Sequence, residues 1–306
     1  MKRAPPHTAK LTQSHTYSNK NKDWGLQFSV AVNDMVVKCH EALPIRPCQL
    51  TWKMPQTSVP LVPVLLPSSY MRSCVMVVVA AGEGSRLCVA GLPKQYVKIH
   101  KQAVLWYSIV SSFAPYIYKV RVVIREGHDV FYQNAIKSLP SAIADRLLPP
   151  VYGGDRRQDS VRIGLESLDG MKPSIVVIHD ACRPFAQAIS ESKVTDALTQ
   201  HSGVVQTLPV VDTIKVVSDN TIVGSVDRET ARIVQTPQVY TYRDVLACHS
   251  AVHRTNPYQY FTDDSSVMLE CGMSVAVVEG SRNNFKITTA EDILQAELHL
   301  SSVPHN

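Results

Sequence analysis

A run of apolar, mostly β-branched residues, Val75 to Val79, passes straight into Ala80-Ala81-Gly82-Glu83-Gly84. The absence of polar alternation predicts a strand buried on both faces, the habit of parallel sheets covered by helices. The small residues that follow let backbone approach a ligand. Without a Cβ at Gly82 and Gly84, successive amides can turn inward around an anion, and Arg86 and Lys94 supply full positive charge for a polyphosphate. Two familiar phosphate loops are excluded. Leu87 stands where a dinucleotide fingerprint needs its third glycine, and no Gly-Lys-Ser/Thr follows as a P-loop requires. An isolated loop of this kind is more often a plain strand-to-helix turn with two solvated cations, so the later segments decide.

The same alternation recurs along the chain. Ala103 to Phe113 has helical apolar spacing and stops before Pro115, and Lys119 to Ile124 is a second β-branched strand, completing a βαβ unit. A helix is expected over 128–139. A strand from Leu147 to Tyr152 leads into Gly153-Gly154-Asp155-Arg156-Arg157-Gln158-Asp159-Ser160 and a helix to about Leu168. There a second glycine loop feeds a helix N-terminus, whose amides and dipole favour a negative group. Ser174 to Ile178 reads as a buried strand followed by His179-Asp180-Ala181-Cys182-Arg183-Pro184. Ligands of open α/β sheets gather beyond the carboxyl ends of strands, which places Asp180 and Arg183 for function, although a lone Asp there is more often a helix cap. Ser190 is expected to cap a helix to about Gln200, and Gly203 to Val210 gives a further strand.

Asp212 to Val217 and Thr221 to Val226 then alternate around Ser218-Asp219-Asn220, which reads as a β-hairpin arm at about 211–233. Such an arm usually has a partner to pair with. Helices follow over Tyr242 to His253 and Thr262 to Glu270, the second capped by Thr262 or Asp263. A last strand, Met273 to Val278, precedes a terminal helix, Thr289 to Leu300, opened by Thr-x-x-Asp. The fold class is α/β, a Rossmann-like, mostly parallel sheet with an inserted β-hairpin arm.

Charge narrows the function. Residues 1–73 hold nine Lys/Arg against three Asp/Glu, and the rest holds 22 against 23. A near-neutral body argues against a duplex-binding surface, so no nucleic-acid partner is expected. No apolar run approaches the roughly 18 residues of a spanning helix, and no signal-peptide core is present, so no membrane partner is expected either. The seven cysteines are odd in number and lack metal-ligand spacing, which points to reduced thiols in the cytoplasm. Residues 1–72 show no sustained periodicity and are expected to be a disordered extension before a domain spanning 73–306. A transit peptide for a plastid-type organelle is the alternative, and Met71 would be a natural beginning for the domain.

Five strand ends thus offer glycine loops, cations, one acid and hydroxyls, with neither a Cys/His nucleophilic pair nor a clustered metal-ligand set. That inventory suits nucleotidyl transfer, which needs a nucleophile in line with the α-phosphate, cations around it and a metal to shield the triphosphate. A substrate phosphate can itself attack. A dehydrogenase is disfavoured by the broken fingerprint, and an inactive nucleotide-binding module is the remaining class.

The strings AAGEGSR with PKQY, GGDRRQDSV, HDACRP, DTIK, VDR with TPQ, TDD, and EGSRNNFKITTAEDI occur in that order between Val75 and Leu300. In them the chain resembles the 2-C-methyl-D-erythritol 4-phosphate cytidylyltransferase family. The resemblance implies a CTP-dependent transferase with Mg2+, serving non-mevalonate isoprenoid synthesis. It implies that Arg86 and Lys94 stabilise the pentavalent phosphate and that Arg228 and Lys286 position the methylerythritol phosphate. Ala80, Ala81, Gly82, Gly154, Asp155 and Ser160 would hold base and ribose. Asp180 would lie near metal and substrate, and Arg183, Thr213, Thr236 and Thr262 would line the sugar-phosphate pocket. It also implies a homodimer that exchanges arms, so that Thr213 and Arg228 complete the partner's site. Cys182 replaces a common alanine, and Asn283 replaces an often acidic residue. With no fused cyclodiphosphate synthase segment, a single step is expected. A ribitol 5-phosphate cytidylyltransferase is the alternative, disfavoured by Lys215 and by Arg228 in its Val-Asp-Arg string.

Overall fold

The computed structural model describes residues 73–84, 88–89 and 91–302. The expected extension 1–72, Met71 and the candidate cation Arg86 lie outside the described residues. The main strands are β1 (Cys74–Ala80), β2 (Ile117–Ile124), β3 (Val151–Tyr152), β4 (Ile175–Asp180), β5 (Gly203–Pro209), β6 (Ile214–Ser218), β7 (Thr221–Val226), β8 (Arg232–Thr241) and β9 (Val275–Glu279). Seven of them form one sheet in the order β9-β5-β8-β4-β1-β2-β3, while β6 and β7 pair with each other. Only β8 runs antiparallel to its sheet neighbours, β4 and β5. The α-helices are α1 (Val104–Ser112), α2 (Asp129–Ile136), α3 (Ser141–Ala144), α4 (Arg157–Glu166), α5 (Glu191–Leu198), α6 (Tyr242–Thr255), α7 (Asp264–Glu270) and α8 (Ala290–Ser302).

The unbroken apolar character of β1 has a direct cause. Cys74, Met76 and Val78 pack in one core with Leu105 and Ile109 of α1 and Tyr132 of α2. Val75 and Val77 enter the other core, with Val161 and Leu165 of α4, Val245 of α6 and Met268 of α7. Cys74 through Val78 are all fully buried, and each aliphatic side chain so buried contributes roughly 1.5–3 kcal/mol. Helix α4 rests closely on the sheet because Gly164 faces it, where a Cβ would overlap Val77 and Val123.

Several sequence expectations need correction. Leu147 to Tyr152 is a strand only over β3, with Leu147 making a single bridge to Val120, because Pro149 and Pro150 remove backbone donors between them. In the sequence β8 shows only a Thr-Pro-Gln motif. Its pattern is interrupted by Pro237, and its register against β5 shifts between Val234 and Gln238. The short α3 and two small hairpins, Cys88–Val89 with Leu92–Pro93 and Lys98–Ile99 with Gln102–Ala103, were also not anticipated. A 3-10 turn, Lys94–Tyr96, joins those hairpins. Ser190 occupies the N-cap of α5 without capping a backbone amide, and its hydroxyl lies 3.3 Å from Ser192 Oγ. At α7 the cap is Asp263, which accepts from the amides of Ser265 and Ser266.

The arm is a hairpin as expected, but its first strand starts at Ile214 rather than Asp212, and Ser218 pairs with Thr221 instead of lying in the turn. Asp219 and Asn220 take φ values of 47° and 61° at its tip, the left-handed pair that a two-residue hairpin turn requires. No described helix is long and apolar enough to cross a membrane.

Candidate active site

At the carboxyl ends of β1 and β4 the glycine loop, the start of α4, the 3-10 turn and Lys286 enclose a cleft of about 160 Å³. The sequence fixes its walls locally. Buried Gln95 donates its amide to the carbonyls of Ala80 at 2.7 Å and Gly82 at 2.9 Å, pinning the first glycine loop to the turn that carries Lys94. The second loop fits against the first because Gly153 has no side chain; a Cβ there would overlap Ala81 and Ser160. Ser160 holds that loop through its hydroxyl, which donates to the carbonyls of Gly154 or Arg156, each 3.1 Å away.

A chain of hydrogen-bonded basic and acidic side chains leads from α6 to the cleft. His249 Nε2 lies 3.1 Å from Asp264 Oδ1, and Asp264 Oδ2 accepts from Arg157 at 2.8 Å. Arg157 Nε then donates to Asp180 Oδ1 at 2.9 Å, and Lys286 Nζ donates to Asp180 Oδ2 at 2.8 Å. Burial alone would raise the Asp180 carboxyl, but Arg157, Lys286 and Arg183 overcome it and hold the group well below the usual carboxylate range. Burial opposes ionisation of Asp264 as well, and Arg157 with His249 brings it down. Asp180 raises Lys286. Asp180 and Lys286 are therefore an ionised pair at neutral pH.

Behind them, burial lowers His179 to about 4, so its ring is neutral. Its Nε2 lies 3.3 Å from the Arg183 carbonyl, which can only accept, so Nε2 carries the proton and Nδ1 accepts from the Thr236 hydroxyl at 3.0 Å. Thr236 Oγ1 in turn accepts from the Asp180 amide at 3.1 Å, which fixes the end of β4.

Of the residues singled out in the sequence, Ala80, Ala81, Gly82, Lys94, Gly154, Asp155, Ser160, Asp180 and Lys286 line the cleft together. Arg183 stands one step back, donating to the Asn284 carbonyl at 2.8 Å with Nε 3.8 Å from Asp180. Thr262 is exposed ahead of α7. Thr213 and Arg228 flank the arm strands and are not among the cleft residues; Arg228 reaches the Val211 carbonyl and Glu229, each at 3.4 Å. Sequence reasoning missed Gln95, Arg157, His249 and Asp264. Gln95, Arg157 and Asp264 stand inside quoted motifs, whereas nothing around His249 marks it.

Among the described residues no three His, Cys, Asp or Glu side chains could jointly hold a metal. Asp155 and Asp180 are the carboxylates that line the cleft; each Asp180 oxygen accepts from one cation and keeps a further lone pair that a hard ion can take. That donor set fits Mg2+, which typically takes one or two carboxylates and completes its shell with water and substrate phosphates.

Comparison with known proteins agrees with this geometry. The family model described as 2-C-methyl-D-erythritol 4-phosphate cytidylyltransferase matches residues 74–302. A bifunctional enzyme IspD/IspF of Wolbachia pipientis wMel is 43% identical over 72% of this chain and 54% of its own length. The 2-C-methyl-D-erythritol 4-phosphate cytidylyltransferase of Neorickettsia sennetsu is 35% identical over 73% of this chain and 95% of its own. The chain spans about half the length of the first curated relatives it matches. Among solved structures, 4-diphosphocytidyl-2C-methyl-D-erythritol synthase from Anaerococcus prevotii superposes with a TM-score of 0.63 at 26% identity, covering 76% of this chain and 97% of that one.

Proposed function

The chain belongs to the 2-C-methyl-D-erythritol 4-phosphate cytidylyltransferase family, and on that premise we propose that it transfers CMP from CTP to 2-C-methyl-D-erythritol 4-phosphate. A phosphate oxygen of the acceptor attacks the α-phosphorus of CTP, the bond from that phosphorus to the bridging oxygen breaks, and pyrophosphate leaves with the bonding electrons. The observation that carries this reading is the convergence of two glycine loops, Lys94 and the Asp180–Lys286 pair on one cleft. No protein nucleophile is required.

In this reading Ala80, Ala81, Gly82, Gly154, Asp155 and Ser160 receive base and ribose. Lys94, with Arg86, neutralises charge as it gathers on the α-phosphate. Lys286, oriented by Asp180, receives the acceptor phosphate, and Arg183 and Thr236 hold Asp180 in place from behind. Asp180 would also hold Mg2+, which when bound shields the triphosphate. Thr262 is assigned to the sugar-phosphate pocket. Thr213 and Arg228 act in a homodimer, where the arm of one chain reaches the other's cleft. The exposed apolar residues of the arm, such as Val216, Val217 and Ile222, support that assembly. A reducing, cytoplasmic setting is part of the proposal, supported by the free thiols of Cys74, Cys182, Cys248 and Cys271.

The test is pyrophosphate release by the full chain with CTP and Mg2+, comparing methylerythritol phosphate with ribitol 5-phosphate. Faster turnover of methylerythritol phosphate is expected. Faster turnover of ribitol phosphate overturns the acceptor, and no release with either overturns the reaction.

A further inference from the structure

The 3-10 turn Lys94–Tyr96 borders a second cavity, of about 900 Å³, that shares no residue with the catalytic cleft. Lys94 and Gln95 face the cleft, whereas Tyr96 and Val97 line the second cavity together with Ala103, Phe131 and Ala135. This volume is that of a small-molecule site. Its chemistry is two-sided. The lining is apolar and aromatic, with Tyr96 and Phe131 rings 5.6 Å apart, while the exposed Lys98, Lys101 and Lys137 also border it. None of these lysines forms an ion pair among the described residues.

We propose that this cavity binds a small amphipathic organic anion, with its apolar body against Tyr96 and Phe131 and its head among the three lysines. The site is coupled to the nucleotide cleft, because a ligand seated on Tyr96 holds the turn that also carries Lys94 and Gln95. By linkage, the ligand and CTP then alter each other's affinity by the same factor.

Calorimetry on the full chain tests this with hexyl phosphate as the probe, hexanoate to vary the head, and hexanol and inorganic phosphate as the separate halves. Hexyl phosphate and hexanoate are expected to saturate in about the millimolar range, and the halves to bind far more weakly. The triple variant Lys98→Gln, Lys101→Gln, Lys137→Gln should weaken hexyl phosphate about tenfold and leave CTP binding in its absence unchanged. Hexyl phosphate should shift the Kd of CTP in the native chain but not in the variant at the same concentration. Unchanged probe affinity in the variant, equal binding of inorganic phosphate alone, or strict displacement by CTP would each overturn the site. Binding with no change in CTP affinity overturns the coupling. Every readout is equilibrium binding, so the result is independent of whether the proposed transfer reaction occurs.

Discussion

The carboxyl end of β4 and the β6–β7 arm hold their charged side chains in opposite ways. At β4 each charge finds its counter-charge within the same chain, and the side chains of Asp180 and Asp264 retain only 9% and 1% of their exposure. In the arm every strand residue except Gly224 is exposed, and a lone two-stranded ribbon is at best marginally stable in water. Lysine and arginine serve in both places. Lys286 is held by a buried carboxylate, whereas Arg228 rests on an exposed glutamate and one carbonyl. The half of the site built on Asp180 is therefore a property of one folded chain. The part assigned to Thr213 and Arg228 in the proposed dimer would instead be set by whatever covers the arm.

The sharpest way to break the comparison is to remove one link of the buried chain. Asp264→Asn leaves Arg157 buried with one counter-charge fewer, and this should cost about 3–5 kcal/mol of unfolding free energy by denaturant titration. A loss under about 1 kcal/mol would show that the network does not hold the site. Acid adds an independent readout. Asp180 and Asp264 both titrate lower in the folded chain than their usual range, so their stabilisation is complete above the unfolded value of about 4 and is lost as pH falls through the folded values. Stability should thus decline below about pH 4, and less steeply in Asp264→Asn, which lacks one of the two groups.

Next in size is the effect of a cation that the network leaves free to act. Lys94 lines the cleft and forms no ion pair among the described residues. In the proposed reaction it would act on charge that appears only as the acceptor oxygen arrives. Lys94→Ala should lower turnover about a hundred- to thousandfold, or roughly 3–4 kcal/mol, with little change in CTP affinity. Near-normal turnover at saturating substrate, or a loss confined to CTP affinity, would transfer the role to Arg86.

The same contrast explains what could be read from the sequence. β1 and the glycine loop were legible because burial on both faces demands apolar residues at every position, and close packing demands small ones. The arm was legible because Asp-Asn at a hairpin tip has a local cause. β8 was not, since Pro237 and a register shift hide a strand whose pairing is decided by β4 and β5. His249 was beyond reach for the same reason. Its partner Asp264 lies 15 residues away, and only the packing of α6 beside α7 brings them together. Charge networks are non-local, so composition and spacing show their members at most one at a time.

The smallest effect on folding is expected in the arm, and it decides whether the comparison is right. Cross-strand pairing puts Ile214 opposite Val226 and Val217 opposite Ile222, and at 37–64% exposure these side chains contribute little burial to their own chain. Val217→Lys combined with Ile222→Glu removes apolar surface there while placing opposite charges directly across the ribbon, which supports the hairpin by a few tenths of a kcal/mol. The arm itself should therefore persist. The unfolding free energy of the domain, measured at a concentration where the chain is monomeric, should stay within about 0.5 kcal/mol of the parent, as for other exposed positions. Sedimentation should nevertheless show the dimer dissociating, because the substitution puts two charges into a face that a partner would have to desolvate. Turnover should fall with it when Thr213 and Arg228 serve the partner's cleft. If instead the monomer loses several kcal/mol, the arm packs on its own domain, and the separation drawn between the two regions fails.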